Sequence, residues 1–132
     1  MLDRQAILQR IDDLYATRAR GDKEALQTFW APEVSFRFAG DPELLMHFPG
    51  GEDVAASIGR IIDLIAFHHF ERLEAVVEGH KASVLWRVHL SVRGKTPVTT
   101  ELYDLWAFDD QGRATSLVQF CDTALLAKLL AD

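Results

Sequence analysis

One cysteine, Cys121, in 132 residues leaves nothing to pair with inside the chain, so an internal disulfide is excluded and the apolar core has to carry the stability. Basic charge is also scarce. Fourteen Lys and Arg stand against twenty Asp and Glu, a formal net charge of -6, and no basic run of the kind that neutralises phosphates occurs. Nucleic acid is therefore not an expected partner. Acidic or basic side chains interrupt every apolar stretch well short of the ~20 residues a bilayer-crossing helix needs, so no membrane partner is expected. The opening MLDRQAILQR has no long uncharged core of a signal peptide, which predicts a cytoplasmic protein. Repeats, low-complexity tracts and linkers are missing, and the reading is one domain over residues 1-132. The Pro49-Gly50-Gly51 stretch lacks the lysine and the strand-to-helix spacing of a phosphate-binding loop.

What is present suits a packed domain. Hydrophobic residues make up 48 % of the chain and charged residues 26 %, close to the globular average. Ile7, Ile11, Leu14, Tyr15 and Arg18 recur with the rhythm of one helical face, and Asp3 is placed to cap the first turn. Gly21 ends that helix. Asp22 starts a second, short one carrying Leu26, Phe29 and Trp30, which Pro32 is expected to stop. From Val34 the period becomes two, with Val34, Phe36 and Phe38 on one side of a strand. AGDPELLMHFPGG reads as a loop with an apolar underside. A third helix with Val54, Ile58, Ile61, Ile62 and Ile65 on one face gives out near Phe67. Residues 69 to 121 then read as four strands, turned at Gly79-His80, Arg93-Gly94-Lys95 and Asp109-Asp110-Gln111-Gly112. Helices first and a meander afterwards predict an α+β domain.

This order, with the stretches YATRARGDKEALQTFWAPEVSF, VVEGHKASVLWRV and YDLWAFDDQGRATSLVQFCDTALLAKLL, resembles the SnoaL-like and ketosteroid-isomerase-like families of the nuclear-transport-factor-2-like (cystatin-like) fold. The resemblance spans nearly the whole chain. It implies a cone-shaped, curved antiparallel sheet wrapped around N-terminal helices, an apolar pocket, chemistry that needs no cofactor, and a homodimer formed through the outer sheet face. The isomerases' general base, an Asp sixteen residues after the Asp of the Gly-Asp turn, is replaced here by Phe38. The cyclases' base, seven residues after the glycine of the last hairpin, is replaced by Gln119. The oxyanion-hole Asp survives as Asp104 in YDLWAF. The oxyanion-hole Tyr position falls on Leu14; Tyr15, one residue along and therefore turned by about 100°, takes its place if the turn before Gly21 is one residue shorter.

The resemblance makes Asp104 and Tyr15 the candidate catalytic pair, and for Asp104 the strand pattern gives a reason of its own. Strand alternation sets Asp104 on one face with Leu102 and Trp106, where an ionised carboxylate is poorly solvated, and with no Lys or Arg of that parity its pKa is expected to rise. The alternative is a structural hydrogen bond. Phe36, Phe38, Trp86, Val88, Trp106 and Leu117 are candidates to line a pocket for a small apolar ligand, or else to fill a closed core. Gln119 offers a donor and an acceptor to a ligand or to Asp104. His69 has the parity to enter the pocket, whereas Arg87 and His89 face outward with Leu85 and Val118. No histidine pair has the spacing of a metal site, so no metal is expected; His47 belongs to the loop, and Cys121 reads as a small hydrophobe. The functional expectation is isomerisation, cyclisation or dehydration of a small carbonyl or hydroxyl compound, with Asp104 as acid or hydrogen-bond donor. The rival is a non-catalytic ligand-binding or dimerisation module.

Overall fold

The computed structural model describes residues 2–40 and 54–131. The AGDPELLMHFPGG loop beyond Gly40, His47 included, lies outside the described residues.

Helix α1, Arg4–Arg20, begins where Asp3 Oδ1 accepts the Ala6 amide at 2.8 Å and ends at Gly21, whose φ of 71° turns the chain back. Only a residue without Cβ takes that left-handed conformation cheaply. Its buried stripe of Ile7, Ile11, Leu14, Tyr15 and Arg18 lies against the inner sheet face. Helix α2, Lys23–Gln27, is capped by Asp22. Strand β1, Trp30–Phe38, starts before Pro32, so the proline does not stop a helix but sits inside a strand. The reason is that β1 is an edge strand whose pairing is irregular between Trp30 and Ser35, so a missing N–H is tolerated there.

Helix α3, Val54–Leu64, passes directly into β2, Ile65–Glu78, three residues earlier than its apolar periodicity suggests. Ile65 and Phe67 pair with Val92 and Leu90 of β3, Lys81–Val92, and that ladder overrides the local helical pattern. Strands β4, Val98–Phe108, and β5, Ala114–Cys121, complete the meander through the expected turns. The sheet order is β1-β5-β4-β3-β2, with β1 parallel to β5 and every other neighbour antiparallel. It is a curved, unclosed sheet with helices on its inner side, an α+β architecture. One element lies beyond the sequence reading: α4, Thr123–Leu130, capped by Asp122 through the Leu125 amide.

The core sits between α1 and the inner faces of β3 and β4, where Ile7, Ile11, Val84, Trp86 and Val88 have no exposed surface. The alternation on β4 is strict: Leu102, Asp104 and Trp106 are buried while Tyr103 and Leu105 are exposed. No helix among the described residues is long and apolar enough to cross a membrane.

Candidate functional site

Asp104 is the one fully buried carboxylate among the described residues. Alternation buries it between Leu102 and Trp106, and the β-ladder sets it directly opposite Gln119 on β5 and Val84 on β3. Three donors converge on its oxygens. Tyr15 donates its hydroxyl to Oδ2 at 2.5 Å, the Trp86 indole donates to the same oxygen at 3.1 Å, and Gln119 Nε2 donates to Oδ1 at 2.9 Å. Gln119 Nε2 also reaches the Tyr15 oxygen at 3.3 Å, closing a triangle of side chains from α1, β4 and β5.

Two opposed effects set the acidity of this carboxyl. Burial raises its pKa, and the hydrogen bonds from Tyr15, Gln119 and Trp86 restrain the rise, leaving it at about 6. The Trp106 indole adds a weaker restraint, although its buried Nε1 finds no partner within hydrogen-bonding geometry. At neutral pH the group is therefore largely a carboxylate that accepts; below about pH 6 it becomes an acid that donates. The Tyr15 hydroxyl is held well above the ordinary phenol range, chiefly by burial and then by the charge of Asp104. Tyr15 is clamped in place by stacking on Trp86, with ring centroids 3.8 Å apart, and by the rings of Phe67 and Phe70.

Tyr15 and Gln119 stand on the wall of an apolar cavity of about 80 Å³. Phe36, Phe38, Trp106 and Leu117 line it as well, as does Leu14, so the neighbouring positions on α1 both contribute. Asp104 does not line the cavity itself and meets it through Tyr15 and Gln119. Trp86 and Val88 lie behind the wall as packed core. His69 is exposed on β2, away from the cavity, because the strand register slips between Phe67 and His69 and breaks the parity on which its placement depended. Phe67 lines the cavity instead.

Sequence reasoning missed several lining residues. Arg18 is the most consequential: only 8 % exposed, it sits one turn along α1 from Tyr15, with its guanidinium carbon 4.1 Å from the centre of the Phe67 ring. An arginine on an otherwise apolar helical stripe was the available signal. Leu125, Leu126 and Leu129 of α4 close another side. Cys121 also borders the cavity, but burial, followed by the nearby Asp122, pushes its thiol up to about 11, so it is a poor nucleophile near neutral pH. His68 and His89 bond to Ser91 and Thr99 on exposed surface, and no group of three metal-binding side chains occurs among the described residues.

Several solved structures share this fold. A provisionally named isomerase from Rhodopseudomonas palustris superimposes with a TM-score of 0.78 at 20 % identity, covering 98 % of this chain and 97 % of that one. An epoxide hydrolase from M. tuberculosis of the LEH-like type gives 0.72 at 13 % identity, covering 94 % and 89 %. An epoxide hydrolase/cyclase-like enzyme of pyran ring formation in the polyether salinomycin gives 0.72 at 13 % identity, covering 94 % and 96 %. At these identities the likeness is one of fold, the nuclear-transport-factor-2-like fold. No curated protein matches the chain in sequence. The SnoaL-like domain model matches residues 11–117, and the chain belongs to that family.

Proposed function

We propose that the protein binds a small, largely apolar molecule bearing a carbonyl or hydroxyl oxygen and acts on it without a cofactor, in an isomerisation, cyclisation or dehydration. The observation that carries this reading is the Tyr15–Asp104 hydrogen bond at the wall of an apolar cavity. When Asp104 is protonated it gives its hydrogen to the Tyr15 oxygen, and the Tyr15 hydrogen turns to the ligand. A developing negative charge on the ligand oxygen is then met by a donor already in place, in surroundings that exclude water. Asp104 acts through Tyr15 and is a positioning and proton-supplying group; Tyr15 touches the ligand. Gln119 spends both N–H groups on Asp104 and Tyr15, so its carbonyl oxygen is left to accept from a ligand hydroxyl. The epoxide hydrolase and the cyclase-like enzyme of pyran ring formation among the similar structures support chemistry at a carbon–oxygen bond.

A second reading, binding without turnover, is favoured by Phe38 and Gln119, neither of which can take a proton from carbon in the positions the family uses for its base. Both readings include a homodimer: Tyr103, Leu105 and Phe120 expose 41 %, 38 % and 43 % of their surface on the outer sheet face, which a second copy would cover. Thermal unfolding with acetophenone and with ethylbenzene, a hydrocarbon of similar shape, tests the pocket. Acetophenone is expected to raise the midpoint more, and Tyr15→Phe to erase the difference. Equal effects of the two compounds on the parent protein would remove Tyr15 from the site.

A further inference from the structure

Arg18 is not accounted for by the chemistry above. A guanidinium is charged at any working pH, and burying one without a carboxylate is costly unless something else completes its surroundings. Here the side chain is 8 % exposed and among the described residues forms no ion pair. One N–H group, on Nη2, donates to the Ile65 carbonyl at 2.7 Å, and one face rests on the Phe67 ring. That leaves a five-donor fork with one hydrogen bond to the described residues and one flank on the cavity.

Among the described residues, the acids nearby are otherwise engaged. Asp104 is held by Tyr15, Trp86 and Gln119. Asp122, the other acid beside the cavity, is exposed and caps α4 through the Leu125 amide. The indole of Trp106, in the same wall, is buried and leans weakly on Asp104, with no partner within hydrogen-bonding geometry among the described residues. Among the described residues, the cavity wall thus offers a donor fork with spare N–H groups and one positive charge, with no carboxylate paired to it. This occurs in a chain whose net charge of -6 would otherwise repel an anion.

Building on the pocket reading above, we infer that the natural ligand is an organic acid: a ring-bearing molecule whose ionised oxygens, carboxylate or acidic enol, rest on Arg18. Its neutral oxygen meets Tyr15 one helical turn away. Tyr15 and Arg18 are three residues apart on one face of α1, and Phe67 touches both, so the ring of such a ligand lies along Phe67 with an oxygen at each end. The charge fixes which way round the molecule enters, leaving the oxygen at the Tyr15–Asp104 end as the one that reacts.

The test uses single-ring probes, the smallest molecules that carry both a ring and the oxygen in question. Dissociation constants for benzoate, benzamide and acetophenone are measured at pH 7.5 by amide chemical-shift titration on the full chain, in the parent, Arg18→Met and Arg18→Lys. Benzoate is expected to bind the parent at least about tenfold more tightly than benzamide, which has nearly the same shape. Arg18→Met should bring the two together, and Arg18→Lys should restore part of the preference. If benzamide binds the parent as tightly as benzoate, or if the preference survives in Arg18→Met, the acid assignment is overturned. Acetophenone binding with no benzoate preference would overturn this inference alone and leave the pocket reading standing; no binding of any probe would overturn both. Should Arg18→Met fail to fold, the benzoate-to-benzamide ratio in the parent decides the matter.

Discussion

The Tyr15 hydroxyl, on the first helix, donates to Asp104 Oδ2 at 2.5 Å across 89 residues of chain. This contact ties α1 to the middle of the sheet and couples the acidity of a buried carboxyl to the donor that faces the cavity.

Stability should carry the signature of that carboxyl. The pKa of Asp104 is raised in the folded state, so its favourable contribution is complete below the ordinary aspartate range, near pH 4, and is lost as pH rises through about 6. A displacement of this size corresponds to ~3 kcal/mol. Urea unfolding at intervals from pH 4 to 7.5 should therefore show a fall in stability that Asp104→Asn removes. An unchanged profile in the variant would mean that Asp104 does not titrate in this window.

Loss of the Tyr15 hydroxyl should make Asp104 a weaker acid still. Tyr15→Phe removes the largest of the hydrogen bonds that restrain its pKa, while burial is retained. Carbon-detected NMR of the side-chain carboxyl is expected to give a midpoint near 6 in the parent and a higher one in Tyr15→Phe. The substitution should also cost ~1 to 3 kcal/mol in stability, because Asp104 Oδ2 keeps only the Trp86 donor and one Gln119 N–H loses its acceptor.

Ligand binding should be coupled to proton uptake between pH 6 and 7. A neutral molecule in the cavity displaces solvent from around Tyr15 and Gln119, which disfavours the charged form of Asp104 and raises its pKa further. Calorimetry of acetophenone binding in two buffers of different ionisation enthalpy should reveal uptake of a fraction of a proton, absent in Asp104→Asn. Identical apparent enthalpies in the two buffers for the parent would rule the coupling out.

The outer sheet face should hold two copies together. Phe120 and Tyr103 are directly opposite on adjacent strands, with ring centroids 6.3 Å apart and both residues exposed. Sedimentation at micromolar concentration should give a dimer for the parent and a monomer for Phe120→Glu, with the circular dichroism spectrum unchanged. A monomeric parent would leave this face without a partner copy.

Substitution at two glycines should separate backbone cost from crowding. Gly21 and Gly112 have φ of 71° and 78°, yet among the described residues a Cβ at Gly21 would meet nothing closer than 3.8 Å, whereas at Gly112 it would press on Leu2 at 3.3 Å. Alanine should cost ~1 to 2 kcal/mol at Gly21, from the left-handed backbone alone, and more at Gly112. Chemical denaturation of the two variants measures the difference; equal costs would show that Leu2 simply moves aside.

Whatever depends on near neighbours along the chain was legible in the residues alone. The α1 stripe, the hairpin turns, and the alternation that buries Asp104 between Leu102 and Trp106 are all periodicities of 3.6 or 2, and they follow from side-chain direction in a helix or strand. The resemblance to the SnoaL-like family rested on the order of those same elements. Tertiary structure decided the rest. Whether Leu14 or Tyr15 meets the cavity depends on how α1 is rotated against the sheet, and packing places both on its wall. His69 lost its inward position to a slip in β2 that no local pattern records. Ile65 and Phe67 left a helical pattern for a strand because β3 offered them hydrogen-bonding partners. Arg18 reads on paper as the polar edge of an apolar stripe, and only the closure of Phe67 and the Ile65 carbonyl around it makes it a buried cation beside the cavity. In each case the deciding contact joins residues far apart in sequence, whose meeting is governed by the packing of whole elements.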